Sequence, residues 1–353
     1  MPGRREKLEH DDTNLLLPNQ RAIIKPKKRR SKCCIACIWI SSILGGLAAI
    51  VLLMYIGHLI FEIIINKRGD NGKTISGVST DLLGRFNLYE QYAAASYCSV
   101  NNGNSTGSKI RCTAGNCPLV EQADTQSVME FQHSLNTDVT GFVAVDNTNK
   151  LVVISFRGTD SDQNIITDTN LTRVNADLCP NCLVHQGFWE SWIEARDNIT
   201  ASLNDTKKSN PTYEVIVTGH SLGGAIATLC AAEIRKGGMK ASLYTFGSPR
   251  LGDTHLSTFI TAQGSNYRLT HANDIVPNLP PLVFPNLDVH TGFAGFAYVH
   301  ISPEYHIKTG NDVVVTVKDI DELSGEVNFG GNTGTLLPSI GAHKWYFGNI
   351  TAC

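Results

Sequence analysis

A serine stands between glycines at the point where a short strand pattern runs into a helix pattern. The run Tyr213–Thr218 has the composition of a strand, residues 219–223 read Gly-His-Ser-Leu-Gly, and helical spacing follows over Ala225–Arg235. A G-x-S-x-G nucleophile needs this context, because the serine must stand clear of the backbone at the carboxyl edge of a sheet. Ser221 is therefore the predicted nucleophile. The alternative is a glycine-rich turn in an unrelated α/β protein.

Two downstream segments could supply the general base and the carboxylate that a serine nucleophile requires. A hydroxyl reacts poorly unless a base takes its proton and an acid holds that base in the right tautomer. In α/β-hydrolases these groups follow the order serine, acid, histidine along the chain. Asp274 follows the strand-like run Tyr267–Thr270, and His343 is predicted in a loop near the carboxyl terminus. The pattern alone leaves four other histidines open as the base: His271, His290, His300 and His306.

The segments around these residues alternate between strand and helix patterns. Runs rich in β-branched and aromatic residues predict strands at 141–145, 151–156, 213–218 and 241–246, and helical spacing predicts helices at 82–98, 188–203 and 225–235. Strands that alternate with helices are typical of a mainly parallel, doubly wound sheet. The predicted fold class is therefore α/β.

Several motifs together resemble the fungal class 3 triacylglycerol lipases, in particular the secreted enzymes of filamentous fungi. They lie at residues 138–159, 219–224, 246–252, 271–281, 302–305 and 342–348, so the resemblance covers roughly residues 81–353. The family implies an α/β-hydrolase fold with a mainly parallel central sheet. It also selects one histidine from the competing ones, and so implies a catalytic triad of Ser221, Asp274 and His343.

Acyl transfer also needs hydrogen-bond donors aimed at the developing oxyanion, each worth about 10²–10³ in rate. The backbone N–H of Leu222, directly after the predicted nucleophile, is one expected donor. The sequence has no HGGG segment to supply a second one. The resemblance implies that Thr159 supplies it through its backbone N–H and its hydroxyl. The sequence carries no metal-ligand cluster, and the chemistry requires neither a metal nor another cofactor.

Composition and charge limit the possible function classes. The 353 residues are 42% hydrophobic and 18% charged, a balance that allows a sizeable core and excludes disorder over most of the chain. The formal net charge is −2, but the first 32 residues carry ten basic and four acidic side chains, so the remainder is acidic. An acidic globular part excludes general nucleic-acid binding, whereas the oligomeric state stays open.

A long uncharged stretch predicts a single membrane anchor. Residues 33–61 contain no Asp, Glu, Lys or Arg, and a helix that spans a bilayer needs roughly 20 apolar residues. A cleaved signal peptide has an apolar region of only about 7–15 residues. The predicted organisation is a basic cytosolic tail over 1–32, a transmembrane signal-anchor helix over 33–65, a polar stem over 66–80 and a lipase-like domain over 81–353.

The flanking charges predict the orientation of that anchor. Six basic residues lie between 25 and 32, whereas Lys67 and Arg68 alone follow the stretch closely, and positive charge favours the cytosolic side. We therefore expect a type II membrane protein whose residues 66–353 are lumenal or extracellular, in the secretory pathway, the vacuole or at the cell surface. Five N-x-[ST] sequons follow the stretch and none precedes it: Asn104, Asn170, Asn198, Asn204 and Asn349.

Seven cysteines follow the stretch, a number that suits an oxidising compartment and leaves at least one unpaired. Cys230 is the expected free thiol, because it lies in an apolar helical pattern and would pack as a small hydrophobe. Residues 179–182 form a CxxC pair that could be half a zinc site or a redox pair. A short disulfide fits better, because this part of the chain has no second CxxC. The family resemblance implies the pairs Cys98–Cys353, Cys112–Cys117 and Cys179–Cys182.

The segment after Thr159 leaves the substrate class open. In the family this segment forms a lid with an apolar face, but residues 160–172 are mostly polar here, with Ile165, Ile166 and Leu171 as the apolar exceptions. This stretch resembles the polar flap of type-A feruloyl esterases. The leading prediction is a serine carboxylic ester hydrolase that acts on lipid esters through an acyl-enzyme. The alternatives are a feruloyl-type aromatic esterase, a phospholipase and a catalytically silent membrane-anchored binding module.

Overall fold

The computed structural model describes residues 77–103, 106–132, 136–159, 171–284 and 296–353, together with a few helical residues between 45 and 56. The latter include Val51, Leu52 and Leu53, whose apolar side chains are exposed. Within these ranges, no helix is both long enough and apolar enough to cross a bilayer. The anchor predicted at 33–65 lies almost entirely outside the described residues, as do the sequons at Asn104 and Asn170. These expectations remain predictions.

Within the described residues from 77 to 353, six α-helices and twelve strands occur, besides short 3-10 turns. The helices are α1 (Thr80–Ala95), α2 (Pro118–Gln122), α3 (Gln186–Ser209), α4 (Leu222–Lys236), α5 (Thr254–Ala262) and α6 (Ile340–His343). The strands are β1 (Thr125–Phe131), β2 (Gly141–Asp146), β3 (Leu151–Phe156), β4 (Arg173–Asn175), β5 (Leu183–His185), β6 (Glu214–His220), β7 (Ser242–Phe246), β8 (Asn266–His271), β9 (Val283–Phe284), β10 (Phe296–Ala297), β11 (Glu304–Ile307) and β12 (Ile320–Leu323). The strands and helices predicted between residues 82 and 246 are present, with shifts at the boundaries.

Eight of these strands form the central sheet in the order β1-β2-β3-β6-β7-β8-β11-β12. The five strands β3, β6, β7, β8 and β11 run parallel, and the antiparallel strands lie at the two ends. The sequence prediction of an α/β fold with a mainly parallel sheet is confirmed. Parallel neighbours place their carboxyl ends at one edge of the sheet, and the loops that follow β6, β7 and β8 therefore meet there.

Helices cover both faces of the sheet. Along β3, Val152 and Ile154 belong to the core shared with α3 and α4, whereas Leu151 and Val153 belong to the core shared with α1. Successive residues of a strand point to opposite faces, so the near-continuous apolar run of β3 is what a doubly covered strand requires. Ser79 caps α1 at its start, where its Oγ accepts the N–H of Leu82 at 3.1 Å.

The helix boundaries near the site differ from the sequence prediction. His343 was expected in a loop, but it is the last residue of α6, which Ser339 caps by accepting the N–H of Ala342 at 3.2 Å. Four residues are too few to show helical periodicity in a sequence. Helix α4 begins at Leu222, before the predicted start at residue 225. Its first turn contains two glycines, and their low helix propensity hides this turn in the sequence. Helix α1 ends at Ala95, where the Ser96 hydroxyl turns back to the carbonyl of Ala93 at 2.6 Å.

Three disulfides are present in the described residues, and they join the pairs that the family resemblance implies. They are Cys98–Cys353, Cys112–Cys117 and Cys179–Cys182. The first fastens the carboxyl terminus to the segment directly after α1. Cys230 is a free, buried thiol in α4, and burial raises its pKa well above the usual value, which makes it unreactive.

Candidate active site

Ser221 lies at the sharp turn between β6 and α4. Its backbone has φ 58° and ψ −131°, a strained conformation that is expected at a nucleophile turn. The N–H of Ser221 donates to the carbonyl of Phe246 at 2.9 Å. Side chains at Gly219 and Gly223 would overlap backbone atoms, because a Cβ at Gly219 would meet Gly223 and one at Gly223 would meet Phe156. The turn therefore depends on both glycines of the motif.

Asp274 follows β8 and is fully buried. Its Oδ1 accepts the N–H of Val276 at 2.9 Å, and its Oδ2 lies 2.9 Å from His343 Nδ1. The hydroxyl of Tyr346 donates to the same Oδ2 at 2.7 Å. A carboxylate opposite Nδ1 favours the imidazole tautomer that carries its proton there, which leaves Nε2 free to accept a proton. The structure thus joins Asp274 and His343, 69 residues apart, in the manner that a triad requires.

Ser221 Oγ and His343 Nε2 are both buried, and neither has a hydrogen-bond partner among the described residues. The last residue of β7 and the first residue after it lie next to this serine and this histidine. Phe246 binds the backbone of Ser221, and a Cβ on the next residue, Gly247, would lie 2.9 Å from His343 Cε1 and 2.8 Å from Asp274 Oδ2. Buried polar atoms without partners are uncommon in folded proteins, and the serine–histidine bond of an unliganded site is often long. Both atoms therefore remain available for a hydrogen bond to a bound group.

His220 supports the backbone of His343. Its Nε2 lies 2.8 Å from the carbonyl oxygen of His343, its Nδ1 lies 2.6 Å from the Tyr97 hydroxyl, and the two histidine rings are 4.4 Å apart. Burial, and after it the neighbouring His343, hold the pKa of His220 well below the usual value, so the ring is neutral. Because a carbonyl only accepts hydrogen bonds, Nε2 carries the proton and Nδ1 accepts from Tyr97.

The chain segments of both predicted oxyanion donors border Ser221. Leu222 is the first residue of α4, and N–H groups in the first turn of a helix have no partner within that helix. On the other side, a Cβ on Gly158 would lie 2.8 Å from both the Cβ of Ser221 and the carbonyl of His220. Thr159 directly follows that glycine. The two segments therefore lie next to Ser221.

The competing histidines make other contacts. His271 Nδ1 lies 2.9 Å from the carbonyl of Ala342, His300 Nε2 lies 2.7 Å from that of Pro277, and His306 Nδ1 lies 3.0 Å from Thr270 Oγ1. His290 lies outside the described residues. Of the histidines that the structure describes, His343 is the one that pairs with Asp274.

A buried ion pair lies behind the loop that carries Asp274. Glu304 pairs with Arg268 at 3.1 Å and accepts the backbone N–H of Asn332 at 3.0 Å. Burial alone would raise the pKa of Glu304, but Arg268, His306 and the hydrogen bonds from Thr270 and Asn332 lower it to about 2. The side chain of Asn332 donates to the carbonyl of Asp274 at 2.9 Å. The ion pair therefore fixes the backbone of Asp274 from behind.

One group of side chains has the compactness of a metal site. The sulfur atoms of Cys98, Cys112 and Cys353 lie within 4.8 Å of one another. All three are bonded in disulfides, so this group offers no thiolate to a metal ion.

Comparisons with known proteins match the domain that carries this site. Residues 153–284 match the family model of class 3 lipases, and residues 72–127 match the N-terminal region of the same lipases. The secreted mono- and diacylglycerol lipase A of Penicillium cyclopium is 44% identical over 279 residues, which cover 78% of this chain and 88% of the relative. The secreted mono- and diacylglycerol lipase 1 of Fusarium solani is 41% identical over 278 residues, 78% of this chain and 79% of the relative.

The chain belongs to the class 3 lipase family. Its structure also resembles the crystal structure of the mono- and diacylglycerol lipase from Aspergillus oryzae, with a TM-score of 0.71 and 42% identity over 78% of this chain and 99% of that one. A further structure with a TM-score of 0.66 and 27% identity, covering 79% of this chain and 99% of that one, is a triacylglycerol lipase whose catalytic centre is a serine protease triad. The fold of this class 3 lipase is thus an α/β-hydrolase fold. The chain is a carboxylic ester hydrolase that acts on lipid esters through a Ser-Asp-His triad.

Three residues around this site were not found from the sequence. Tyr346, His220 and Tyr97 act through contacts between segments far apart in the chain, and such contacts leave no periodic signal. Two of them stand next to predicted residues, since His220 precedes the serine and Tyr346 follows His343 by three positions. The sequence signal that could have found His220 and Tyr346 is their position close to a predicted site residue.

Proposed function

We propose that Ser221 is the nucleophile of this class 3 lipase, His343 its general base and Asp274 the carboxylate that orients the base. The observation that carries the proposal is the buried Asp274–His343 contact at 2.9 Å, with His343 Nε2 and Ser221 Oγ left without partners. Ser221 Oγ attacks the ester carbonyl carbon while its proton passes to His343 Nε2. The tetrahedral intermediate expels the alcohol, which takes that proton, and an acyl-enzyme remains.

Water then completes the cycle. It gives a proton to His343 and attacks the acyl carbon, and the second intermediate releases the fatty acid as Ser221 recovers its proton. The negative charge on each intermediate faces Leu222 and Thr159, whose backbone N–H groups we assign as the oxyanion donors. Asp274 compensates the imidazolium that forms on His343.

The proposed substrates are mono- and diacylglycerols. The relatives from Penicillium and Fusarium carry that activity in their names and are 44% and 41% identical to this chain. The polar composition of residues 160–172 favours aromatic esters as a second substrate class, because a polar flap has little tendency to enter a lipid surface. A panel of monoacylglycerol, diacylglycerol, triacylglycerol, phospholipid and methyl ferulate separates these possibilities.

The test of the catalytic assignment uses the full chain and this panel. Ser221→Ala is expected to abolish turnover of every substrate that the unchanged protein hydrolyses, whereas Ser209→Ala, at the end of α3, is expected to leave turnover unchanged. The two variants should have the same circular dichroism spectrum. Turnover by Ser221→Ala at more than about a hundredth of the original rate would exclude Ser221 as the nucleophile.

We also propose that residues 33–65 anchor the protein in a membrane as a type II protein. The support is the uncharged run of residues 33–61 with basic residues before it. The relatives named above are secreted, and the anchor would hold the same kind of domain at a membrane. Extraction of cell membranes at alkaline pH tests the anchor: the full chain should stay in the pellet, and a variant with Leu52 and Leu53 both changed to Arg should not.

A further inference from the structure

A groove on the outer side of α3 differs in chemistry from the catalytic site. It has a volume of about 450 Å³ and lies between α3, the end of α4 and residues 177–178. Its lining includes Trp189, Trp192, Arg196 and Glu233. Trp192 Nε1 donates to Glu233 Oε2 at 2.6 Å, and Arg196 approaches the other oxygen of Glu233 at 3.7 Å. Trp192 is fully buried, whereas Trp189 is partly exposed. An exposed indole face next to charged hydrogen-bonding groups suits a sugar, which has apolar C–H faces and hydroxyl groups.

A glycosylation sequon lies on the rim of this groove. Asn204, followed by Asp205 and Thr206, is exposed and is itself one of the lining residues. It belongs to the same helix as the other lining residues Trp192, Arg196 and Thr200, which recur at helical spacing. Side chains of a helix lean toward its N-terminus. A glycan on Asn204 would therefore leave the helix in the direction of Arg196 and Trp192, along the groove.

We propose that Asn204 carries an N-linked glycan that extends along this groove and packs its outer sugars against Trp189. The attachment makes the occupancy an intramolecular event with a high effective concentration, so weak contacts suffice. The seated sugars cover the half-buried Trp189 and place their hydroxyl groups near Glu233 and Arg196. The proposal rests on the lumenal location proposed above, because glycosyl transfer to Asn occurs in the secretory pathway.

A second sequon on the same helix provides a matched control. Asn198, followed by Ile199 and Thr200, is also exposed but does not line the groove. Six residues separate it from Asn204, and at 3.6 residues per turn this spacing directs the two side chains to different faces of α3. A glycan on Asn198 would thus extend into solvent. The effects of glycosylation in general and of the groove in particular can therefore be separated.

The experiment compares the full chain, Asn204→Gln and Asn198→Gln after production in a eukaryotic secretory host. Mass spectrometry of glycopeptides should find Asn204 occupied. Asn204→Gln should lower the midpoint of thermal unfolding by about 2–4 °C and increase the quenching of tryptophan fluorescence by acrylamide, whereas Asn198→Gln should change neither. Enzymatic removal of glycans from the folded, unchanged protein should reproduce the effect of Asn204→Gln, which covers the case of poor production of the variant.

Four outcomes would overturn the proposal. An unmodified Asn204 beside occupied sequons elsewhere excludes the glycan but leaves the lumenal location intact, whereas a chain without any occupied sequon also contradicts that location. Equal effects of the two Asn variants would show that the groove is not involved. A loss of stability in Asn204→Gln that persists unchanged in a Trp189→Phe background would show that the glycan does not contact the indole.

Discussion

Tyr346 donates its hydroxyl group to Asp274 Oδ2 at 2.7 Å, the same oxygen that lies 2.9 Å from His343 Nδ1. Both Tyr346 and Asp274 are buried. Burial, followed by the nearby Asp274 carboxylate, raises the pKa of Tyr346 well above its usual value, so the hydroxyl remains protonated and continues to donate. The carboxylate that orients the imidazole is thus itself held in place by a second donor.

Loss of this donor should slow catalysis. In Tyr346→Phe, Asp274 loses a hydrogen bond to a charged group, which is worth about 1.5–3 kcal/mol, and holds His343 less firmly. We expect kcat to fall about tenfold with little change in KM. Tyr305→Phe is the matched control, because its hydroxyl binds Glu322 at 3.1 Å on the edge pair of strands. It should lower stability but not kcat, and equal kcat values for the two variants would contradict the assigned role of Tyr346.

A side chain at Gly247 should disrupt the site. A Cβ there would lie 2.8 Å from Asp274 Oδ2, 2.8 Å from the Tyr346 hydroxyl and 2.9 Å from His343 Cε1, and the backbone has φ +60°. Gly247→Ala should therefore reduce kcat/KM at least about 100-fold. Gly264→Ala shares the positive φ, at +75°, but meets no atom within 4 Å. This control should lose only stability, and retained activity in Gly247→Ala would show that the three groups do not meet as described.

Stability should depend on pH through Glu90. This side chain is fully buried in α1, and burial raises its pKa from 4.5 to about 8 although it accepts the backbone N–H of Gly348. Between pH 4.5 and 8, the Glu90 carboxyl group therefore keeps its proton in the folded state and loses it in the unfolded state. The contribution of Glu90 to the free energy of unfolding is therefore fully present at low pH. It decreases as the pH rises through this range, by on the order of 1 kcal/mol per pH unit.

Replacement of Glu90 by Gln removes this titration. The unfolding midpoint of Glu90→Gln should exceed that of the unchanged protein at pH 8, and the difference should diminish toward pH 5. Glu190→Gln, at an exposed position of α3, should show no such trend. A Glu90→Gln protein with the same pH dependence as the unchanged protein would exclude Glu90 as its cause.

The disulfides Cys98–Cys353 and Cys112–Cys117 should differ in their contribution to stability. Cys98–Cys353 closes a loop with a sequence separation of 255, whereas Cys112–Cys117 has a separation of 5. In the chain-entropy model the longer loop is more costly to close in the unfolded state. The double Ser variant of Cys98 and Cys353 should lose about 2–5 kcal/mol, more than the variant of the short loop, in denaturant titrations. A larger loss from the short loop would contradict this order.

The sequence predicted the parts of the site that depend on local pattern. Ser221 was found because glycines, strand and helix surround it in a fixed order, and Asp274 because it follows a strand. His343 could not be chosen from the residues alone, since a base 69 positions from its acid leaves no local pattern, and the family resemblance was needed. The contacts of Tyr346 with Asp274 and of Tyr97 with His220 arise from packing between distant segments, which periodicity does not record.

The most direct test of the triad is covalent labelling of the full chain with a fluorophosphonate, followed by peptide mapping. Such a probe reacts with a serine that a base has activated: the serine oxygen bonds to phosphorus as the hydroxyl proton passes to the base, and the P–F bond breaks to release fluoride. We expect a single adduct on Ser221, formed at least about 100-fold more slowly in His343→Ala. An adduct on another residue, or labelling of Ser221 at the same rate without His343, would contradict the proposed active site.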